Sequence, residues 1–284
     1  MGVVAVENTP ARFRRTGWQA KLRLGYTAHG HRSVVSDRRH EGPLRVQRPF
    51  HPEGAPCHSY LLHPPGGVVG GDELDVGIDV GSNAWAVITS PGATKFYRSL
   101  GGEARVEQRI RIAPGGVMEW LPQEQIAFPG AIVSSRTCFE LASGAHVLGW
   151  ELNCFGRPAS TQPFDHGRFR QRLEVWRNGT PLLLEHARLD GGGMAMTAPW
   201  GLGGHQAMAT LVASPATADD ITALREALVG VPGEVAVTGL DDLLVLRWRG
   251  PGALEGYQLR ARAWAALRPR LLDRPACPPR IWNT

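Results

Sequence analysis

Four acidic residues stand among apolar neighbours, and they are the side chains of this sequence best suited to chemistry. Asp72 follows a glycine-rich run, Glu119 and Glu151 each adjoin a tryptophan, and Glu124 closes segment 119–124. A carboxylate buried without a partner costs several kcal/mol, so each must be paired, hydrated or bound to a metal. Two interpretations are open: an ion pair with one of the many arginines, or a water-filled passage or groove lined by weak oxygen ligands.

Imidazole and thiol groups form a second set of possible metal ligands. Five histidines cluster in sequence near Cys57: His29, His31, His51, His58 and His63. Their spacing matches no defined metal site, which favours surface or locally hydrogen-bonded histidines over ligands. The 4 cysteines form no Cys-x-x-Cys pair, which argues against a disulfide framework and a structural zinc site. We expect most of them to be small, buried core residues.

Common catalytic signatures do not occur in the sequence. There is no Gly-Lys-Ser or Gly-Lys-Thr, no zincin pair of histidines and no Gly-x-Ser-x-Gly elbow. The glycine-rich run 66–71 ends on Asp72 and Glu73, whose charges would repel a phosphate. A tight irregular turn is therefore the favoured interpretation of this run.

The composition indicates a β protein rich in turns. The chain has 284 residues, of which 43% are apolar, and 35 glycines and 22 prolines make up about one residue in five. Glycine and proline are unfavourable inside helices, which excludes a long all-helical architecture. The length suffices for a substantial core. We expect one domain over 1–284, with residues 1–16 as a candidate disordered tail.

Residues 18–175 are predicted to consist mainly of short strands separated by turns. In 74–80 apolar residues alternate with others, a period of two that places one face in a core. The last apolar residues before successive turns recur at intervals of 32, 29 and 34, at Val80, Ile112, Leu141 and Val175. This repeat predicts stacked β layers or a flattened β-helix, although meander sandwiches also give regular short strands. Asn178-Gly179 predicts a hairpin.

Two helices are predicted in the C-terminal part of the chain. Thr217 is a suitable N-cap for 218–229, with acidic residues in the first turn. The second helix is expected over 254–272, with a strand over 243–248 between the two. Pro278 and Pro279 prevent the helical pattern from continuing into the tail.

The charge pattern is mildly basic, with a formal net charge of +5. Basic residues concentrate near the amino terminus and include Arg12, Arg14, Arg15, Lys21, Arg23, Arg38 and Arg39. A solvated face is the favoured interpretation of this patch, ahead of contact with an acidic partner or nucleic acid. No run approaches 18 apolar residues and no signal pattern opens the chain, so we expect a soluble, cytoplasmic protein without membrane contact.

Several motifs, in the same order along the chain, resemble those of the urease accessory protein D family (UreD, called UreH in some bacteria). The matching stretches are GPLRVQRPF at 42–50, HPPGGVVGGD at 63–72, ATKFYRS at 93–99, EWLPQE at 119–124, WE at 150–151, FGRPA at 155–159 and PRIW at 279–282. The resemblance extends from about Gly17 to the end of the chain.

The resemblance implies a non-enzymatic scaffold for nickel insertion into urease, with a flattened right-handed β-helix and a few helices. It implies binding to the helical protein UreF, which recruits the GTPase UreG, and docking on the urease apoprotein. An assembly of two copies with two UreF chains is implied, with nickel in transit and no permanent cofactor. GTP would belong to UreG.

The resemblance also assigns roles to individual residues. Asp72 and Glu151 are the best candidates to line a nickel path, and Glu119 and Glu124 are weaker ones. One or two carboxylates with water can release Ni²⁺ again, whereas a complete His/Cys cage would trap it. The residues of the Lys-x-Tyr-Arg motif, Lys95, Tyr97 and Arg98, are interpreted as structural or partner-contacting.

The chain departs from the family pattern at two places. Pro91-Gly92-Ala93 replaces the usual Gln-Ala-Ala, and Gln162 stands near a position where the family often has Glu. A neutral amide there puts any role of that acid in doubt.

Two other functions remain as alternatives. A β-helical polysaccharide lyase or hydrolase would need an exposed pair of acids. Nucleic-acid binding through the basic amino-terminal patch would need a recognised reading motif, and none occurs.

Overall fold

The computed structural model describes residues 17–283. The candidate tail 1–16, with three arginines of the basic patch, lies outside the described residues. The described strands, in chain order, are β1 (Gln19–His29), β2 (Arg32–Glu41), β3 (Arg45–Val46), β4 (Cys57–Leu62), β5 (Glu73–Val80), β6 (Trp85–Thr89), β7 (Thr94–Phe96), β8 (Ala104–Ile112), β9 (Val117–Trp120), β10 (Gln125–Ala127), β11 (Ile132–Leu141), β12 (His146–Phe155), β13 (Arg168–Arg177), β14 (Thr180–Asp190), β15 (Ala207–Ser214), β16 (Glu234–Leu240) and β17 (Leu243–Gly250).

The strands form two sheets that face each other. The first has the order β14-β13-β11-β8-β5-β1-β2, and the second has the order β16-β17-β15-β12-β9-β6-β4-β3. From β4 to β13 the strands, apart from short β7 and β10, alternate between the two sheets, and neighbours such as β5 and β8, or β6 and β9, run parallel. The chain thus winds as a β-solenoid of about four turns, which confirms the predicted stacked β layers. The short strand β10 pairs with β12 on one side and with short β7 on the other, along a narrow third side.

The register between coils explains most of the sequence repeat. Val80 lies opposite Ile112, and Ile112 lies opposite Leu141, as the spacing of about one coil predicts. The last member is displaced, because Val175 pairs with Phe139 and not with Leu141. Val175 still faces inward, since a shift of two residues keeps a side chain on the same face of the sheet.

Antiparallel strands close the two sheets at their edges. β2 folds back on β1, and β14 folds back on β13 through a turn at Asn178 and Gly179 with φ of 48° and 78°. Positive φ at both turn positions is what this dipeptide tolerates, so the predicted hairpin is confirmed. The second sheet continues from β12 through antiparallel β15, β17 and β16. The predicted strand 243–248 is β17, two residues longer than expected.

Three α-helices occur within residues 17–283: α1 (Met194–Thr197), α2 (Ala218–Ala227) and α3 (Ala253–Leu272). Thr217 caps α2 in a capping box with Asp220, as the N-terminal signal predicts, and the helix ends two residues before the expected 229. α3 begins one residue before the expected 254 and contains Pro269. The one-turn α1 was not predicted. Two 3₁₀ turns, Pro158–Ser160 and Arg280–Asn283, complete the described elements.

Two apolar clusters hold this arrangement together. The larger lies between the sheets and contains inward residues such as Ile78, Ile110 and Phe139, each at most 1% exposed. The smaller lies between the outer face of the second sheet and helices α2 and α3. The solenoid therefore has an interior and a helix-covered face, and a buried polar residue belongs to one or the other. Among the described helices, none combines the length and the apolar character needed to cross a bilayer.

Candidate functional site

The structure divides the four candidate acids into two pairs. Glu119 and Glu124 lie on the face of the second sheet that α3 covers, where they contact residues of that helix. Glu151 lies between the sheets, and Asp72 lies at the turn before β5. All four are at most 7% exposed, so none can serve in the exposed acid pair that a glycan-cleaving enzyme would need.

Glu119 forms a buried ion pair with Arg268 of α3. Both side chains are fully buried, and Arg268 Nε lies 3.0 Å from Glu119 Oε2. The indole N–H groups of Trp85 and Trp264 also donate to this carboxylate, at 2.8 and 2.6 Å. Both oxygens of the Glu119 carboxylate therefore accept hydrogen bonds from donors on the helix or the sheet. The first interpretation offered by the sequence, an ion pair with arginine, is the one the structure shows for Glu119.

All five N–H groups of Arg268 have acceptors. Besides Glu119, the guanidinium donates to both oxygens of Glu53 at 2.8 and 2.6 Å and to the carbonyl of Pro275. His58 contacts the same Glu53 carboxylate through Nε2 at 2.7 Å. Burial alone would raise the pKa of Glu53, but the hydrogen bonds from His58 and Arg268 outweigh it and lower the pKa to about 2. The network fastens α3 to the loop before β4.

Glu124 accepts a hydrogen bond from the Tyr257 hydroxyl of α3. The buried cation Arg260 lies in the same region; it stacks 3.9 Å from the ring centroid of Trp282 and donates to the Pro122 carbonyl at 3.0 Å. Burial lowers the pKa of Arg260 to about 10, opposed by the charges of Tyr257 and Glu124. Glu124 therefore belongs to the packing of α3 and the C-terminal turn.

Asp72 ties the glycine-rich turn to the first strand. One carboxylate oxygen accepts from the N–H of Trp18 at 2.7 Å, and the other accepts from the N–H of Val69 at 2.9 Å. The run 66–71 is an irregular turn with positive φ at Gly66 and Gly71, as predicted. Burial lowers the pKa of His63, and the charge of Asp72 opposes that shift, which shows that Asp72 acts on a residue lining the cavity described below.

Glu151 is the acid at the centre of the solenoid. It is 2% exposed and accepts hydrogen bonds from the Thr137 hydroxyl and the Gln171 amide, both on the first sheet. No arginine or lysine among the described residues forms an ion pair with it. Burial raises its pKa to about 7; the two hydrogen bonds oppose this and the charge of Glu185 adds to it. Near neutral pH this carboxyl is poised between its two protonation states.

The hydrogen bonds around Thr137 fit a protonated Glu151. The single hydroxyl proton of Thr137 has two acceptors within reach, Glu151 Oε1 and Gln108 Oε1, the latter at 2.6 Å. If Glu151 carries a proton, it donates to Thr137, which donates to Gln108, and every group is satisfied. Ionisation of Glu151 reverses the first bond and requires the Gln108 amide to turn.

Glu151 belongs to a row of polar side chains inside the apolar core, which we call the polar seam. Its members are Gln108, Gln125, Ser135, Thr137, Glu151, Asn153 and Gln171. Asn153 donates to Gln171 at 3.0 Å, while Ser135 Oγ, Gln125 Oε1 and Asn153 Oδ1 are buried without a hydrogen-bond partner among the described residues. Buried polar atoms of this kind are normally satisfied by water or an ion. The seam is therefore suited to hydrated or ionic occupants.

Each end of the polar seam reaches an opening in the protein. Gln108 lines an inner cavity of about 410 Å³ between the sheets, whose rim includes His63 and Lys95. On the other side, Thr210 lies directly opposite Glu151 in the β12–β15 pair and donates to Glu185 at 3.3 Å. Thr210 and Glu185 both line a groove of about 600 Å³, which we call the far groove. Glu151 thus lies between the inner cavity and the far groove.

The metal-ligand chemistry of this region is dominated by oxygen. Among residues 17–283, no three His, Cys, Asp or Glu side chains gather closely enough to hold a metal ion. The seam instead offers one carboxylate together with hydroxyl and amide oxygens. Such donors bind a divalent cation weakly, and they suit a transient occupant better than a permanent one.

The Lys-x-Tyr-Arg motif lies on the narrow third side of the solenoid. The Tyr97 ring packs edge-on against Phe128 with 5.1 Å between ring centroids, and its hydroxyl donates to the Gly66 carbonyl at 3.4 Å. The side chains of Lys95 and Arg98 are exposed, and neither has a carboxylate partner among the described residues. Tyr97 is thus packed on one side of its ring and 37% exposed on the other, and whether these residues contact a partner stays a prediction.

Sequence reasoning missed the neutral members of the seam and the partner of Glu119. Gln108 and Thr137 occupy inward positions of strands whose next inward residues are apolar, a polar interruption that marks them in the sequence. Arg268 lies one helical turn after Trp264 on the buried face of α3, which is an equally readable signal.

Comparison with known proteins gives a consistent result. The family described as UreD urease accessory protein matches residues 19–283. The urease accessory protein UreD of Alkalilimnicola ehrlichii is 47% identical over 94% of this chain and 92% of its own length. The corresponding protein of Citrobacter koseri is 44% identical with the same coverage, and that of an Enterobacter species is 41% identical over 98% of this chain and 100% of its own length.

We expect Glu119→Gln to destabilise the fold. The substitution leaves the buried Arg268 with one carboxylate instead of two, and breaking a buried pair costs about 3–5 kcal/mol. The matched control is Asp37→Asn, which breaks an exposed pair with Arg39 and should cost less than about 1 kcal/mol. Urea unfolding of both variants measures the difference, and equal losses would contradict the role assigned to Glu119.

We expect the stability difference between wild type and Glu151→Gln to depend on pH. The pKa of Glu151 is about 7 in the folded chain against an ordinary value of 4.5, so the folded state binds more protons between these values. Stability contributed by this group is therefore present at pH 4.5 and falls as pH rises to 7, by roughly 3 kcal/mol. Glutamine lacks this titration, so the variant should gain relative to wild type between pH 4.5 and 8. Denaturant unfolding across this range checks it, and a gap that stays constant would show that Glu151 is not held in this way.

Proposed function

Because the chain belongs to the UreD urease accessory protein family, we propose that it is a non-catalytic scaffold that guides Ni²⁺ into the urease apoprotein. A role in urease maturation follows from the family. The path of the ion is our proposal, and it runs along the polar seam from one opening of the solenoid to the other. Nickel is here a cargo, and no permanently bound cofactor is part of the proposal.

The observation that carries this proposal is the position of Glu151. It is a buried carboxyl with no cationic partner among the described residues, placed between the inner cavity and the far groove. A structural acid in a core is normally neutralised by an arginine, as Glu119 is. Glu151 lacks such a partner, so its negative charge is available to a cation that enters the seam.

Weak binding is what a path for an ion requires. Conduction needs sites favourable enough to admit the ion and weak enough to release it. One carboxylate, one hydroxyl and neighbouring amide oxygens satisfy this condition for Ni²⁺. Because the pKa of Glu151 is about 7, entry of the cation would displace a proton from part of the population.

Asp72 has a more limited role in this proposal. Its two oxygens are committed to the N–H groups of Trp18 and Val69, so it shapes the turn beside the inner cavity. Its charge still acts on His63 at the cavity rim. Asp72 would thus favour a cation at the entrance without holding it.

The partners of the proposed scaffold are UreF, UreG and the urease apoprotein, with UreF in a two-by-two complex in the cytoplasm. GTP is assigned to UreG. The glycine turn supports this division, because the N–H groups of Val68, Val69 and Gly71 donate to acceptors within the chain, at 2.7, 2.9 and 3.1 Å. A phosphate-binding loop needs those groups free.

Glu151→Gln should lower nickel delivery without preventing assembly. The amide keeps the size of the side chain but removes the charge that the cation needs. We expect the nickel content of urease, after activation with UreF, UreG and GTP, to fall about tenfold, the equivalent of about 1.4 kcal/mol. The measurement is metal analysis of the purified urease, with complex formation followed by size-exclusion chromatography.

Glu140→Gln is the matched control for this experiment. Glu140 lies on the same strand as Thr137 but points to the outer face, where it pairs with Arg109 and Arg111. It should load urease as the wild type does. Normal nickel loading by Glu151→Gln would remove the polar seam from the path, and failure of the wild-type chain to bind any of the three partners would overturn the proposed function itself.

A further inference from the structure

A second opening, separate from the polar seam, lies on the narrow third side of the solenoid. This groove of about 540 Å³, which we call the corner groove, is lined in part by Tyr97, Arg98, Phe128, Gln162 and His166. It forms where the chain leaves β7 and β10. The hydrogen bond from Ser99 N to the Gly130 carbonyl, 2.9 Å long, holds the two segments together.

The aromatic wall of the corner groove is closely packed. Tyr97 and Phe128 pack at an interplanar angle of 85°, and the Tyr97 ring lies directly against Gly67, where a Cβ atom would come within 2.1 Å of it. Tyr97 nevertheless remains 37% exposed.

Two arginines bring positive charge to the corner groove without a carboxylate to neutralise it. Arg157 lies 5.0 Å above the Phe128 ring and donates to the neutral amide of Gln162 at 3.2 Å. Arg98 is exposed and has no ion-pair partner among residues 17–283. Some arginines on the outer face of the first sheet differ in this respect, since Arg23 and Arg136 are both paired with carboxylates.

The one acidic side chain of the corner groove is already engaged. Asp165 lies 2.6 Å from Nδ1 of His166, so its carboxylate is committed to that imidazole. The groove therefore combines an exposed aromatic wall with an unmatched positive charge. Arginine and aromatic residues are enriched where protein interfaces are strongest, and guanidinium groups suit bidentate contacts to carboxylates.

We propose that the corner groove docks an acidic segment of a protein partner, with carboxylates on Arg98 and Arg157 and an apolar side chain against Tyr97 and Phe128. The inference goes beyond the proposed ion path, because no member of the polar seam lines this groove. A protein segment fits better than a nucleic acid, since the cations flank one short groove that also contains Asp165 and do not form a continuous track.

The test measures binding of a defined acidic probe to the whole chain. The probe is the fluorescently labelled peptide acetyl-Glu-Glu-Phe-Glu-Glu-amide, compared with the same peptide carrying Gln in place of Glu. We expect the acidic peptide to bind in a salt-dependent manner, and the Arg98→Gln/Arg157→Gln double variant to bind it about tenfold more weakly. Both positions are exposed, so unfolding midpoints should show the double variant to be folded.

Arg188→Gln provides the matched control. Arg188 is exposed on β14, pairs with Asp190 and lines the far groove, not the corner groove, so this variant should bind the peptide as the wild type does. Absence of binding, equal binding of the Gln peptide, or equal binding by the double variant would overturn the proposal. It would also be overturned if a ten-nucleotide oligo-dT bound more tightly than the peptide and lost affinity in the same variant.

The outcome is separable from that of the ion-path experiment. The peptide assay contains no nickel and no urease, and Glu151→Gln should bind the peptide normally. A double variant that binds the peptide as wild type does removes the docking site and leaves the role of Glu151 untouched.

Discussion

The register between successive coils is the constraint on which the rest of the structure depends. Side chains alternate between the two faces of a strand, so a slip of one residue would turn every inward residue outward. The observed register places Thr137 beside Gln108 and Ser135 beside Gln171, and the β12–β15 pair places Glu151 opposite Thr210. The backbone hydrogen bonds between strands do not depend on side-chain chemistry. Their register nevertheless brings together a row of polar groups from five strands that are remote in sequence.

Glu119 and Glu151 are both buried acids, and the free-energy cost of burying them is offset in opposite ways. Glu119 is neutralised by Arg268 and by two indole N–H groups, so its cost of burial is met by permanent partners on the sheet and the helix. Among the described residues Glu151 meets only neutral donors, and burial raises its pKa. A carboxylate that already forms a complete ion pair does not bind an additional cation well, because that cation would have to compete with the arginine. The two buried acids thus differ in the charge of their partners and not in their burial.

The sequence allowed the fold to be predicted further than the site. The period of two within strands and the spacing of about one coil between Val80, Ile112 and Leu141 are local signals, and they identify stacked coils without knowledge of contacts. Thr217 and the Asn178-Gly179 turn are equally local. The partners of the four acids are not, since Arg268 is 149 residues from Glu119 and Gln171 reaches Glu151 only through the register of β13. The sequence indicates that an acid is buried, but only the packing of distant segments tells whether an arginine or an amide meets it.

Strand alternation also decides which ligands a cation in the polar seam can meet. Thr137 and Asn153 face the interior, so their neighbours Cys138 and Cys154 necessarily point to the opposite faces of the same strands. Cys138 lies beneath the outer surface of the first sheet, and Cys154 packs in the cluster under α3. Burial raises the pKa of these thiols to about 11 and about 12, so both remain protonated and are poor metal ligands. A soft thiolate in the seam would bind a borderline metal such as Ni²⁺ too strongly to release it. Because side chains alternate between the two faces of a strand, the oxygen donors point into the polar seam and the two cysteine thiols point away from it.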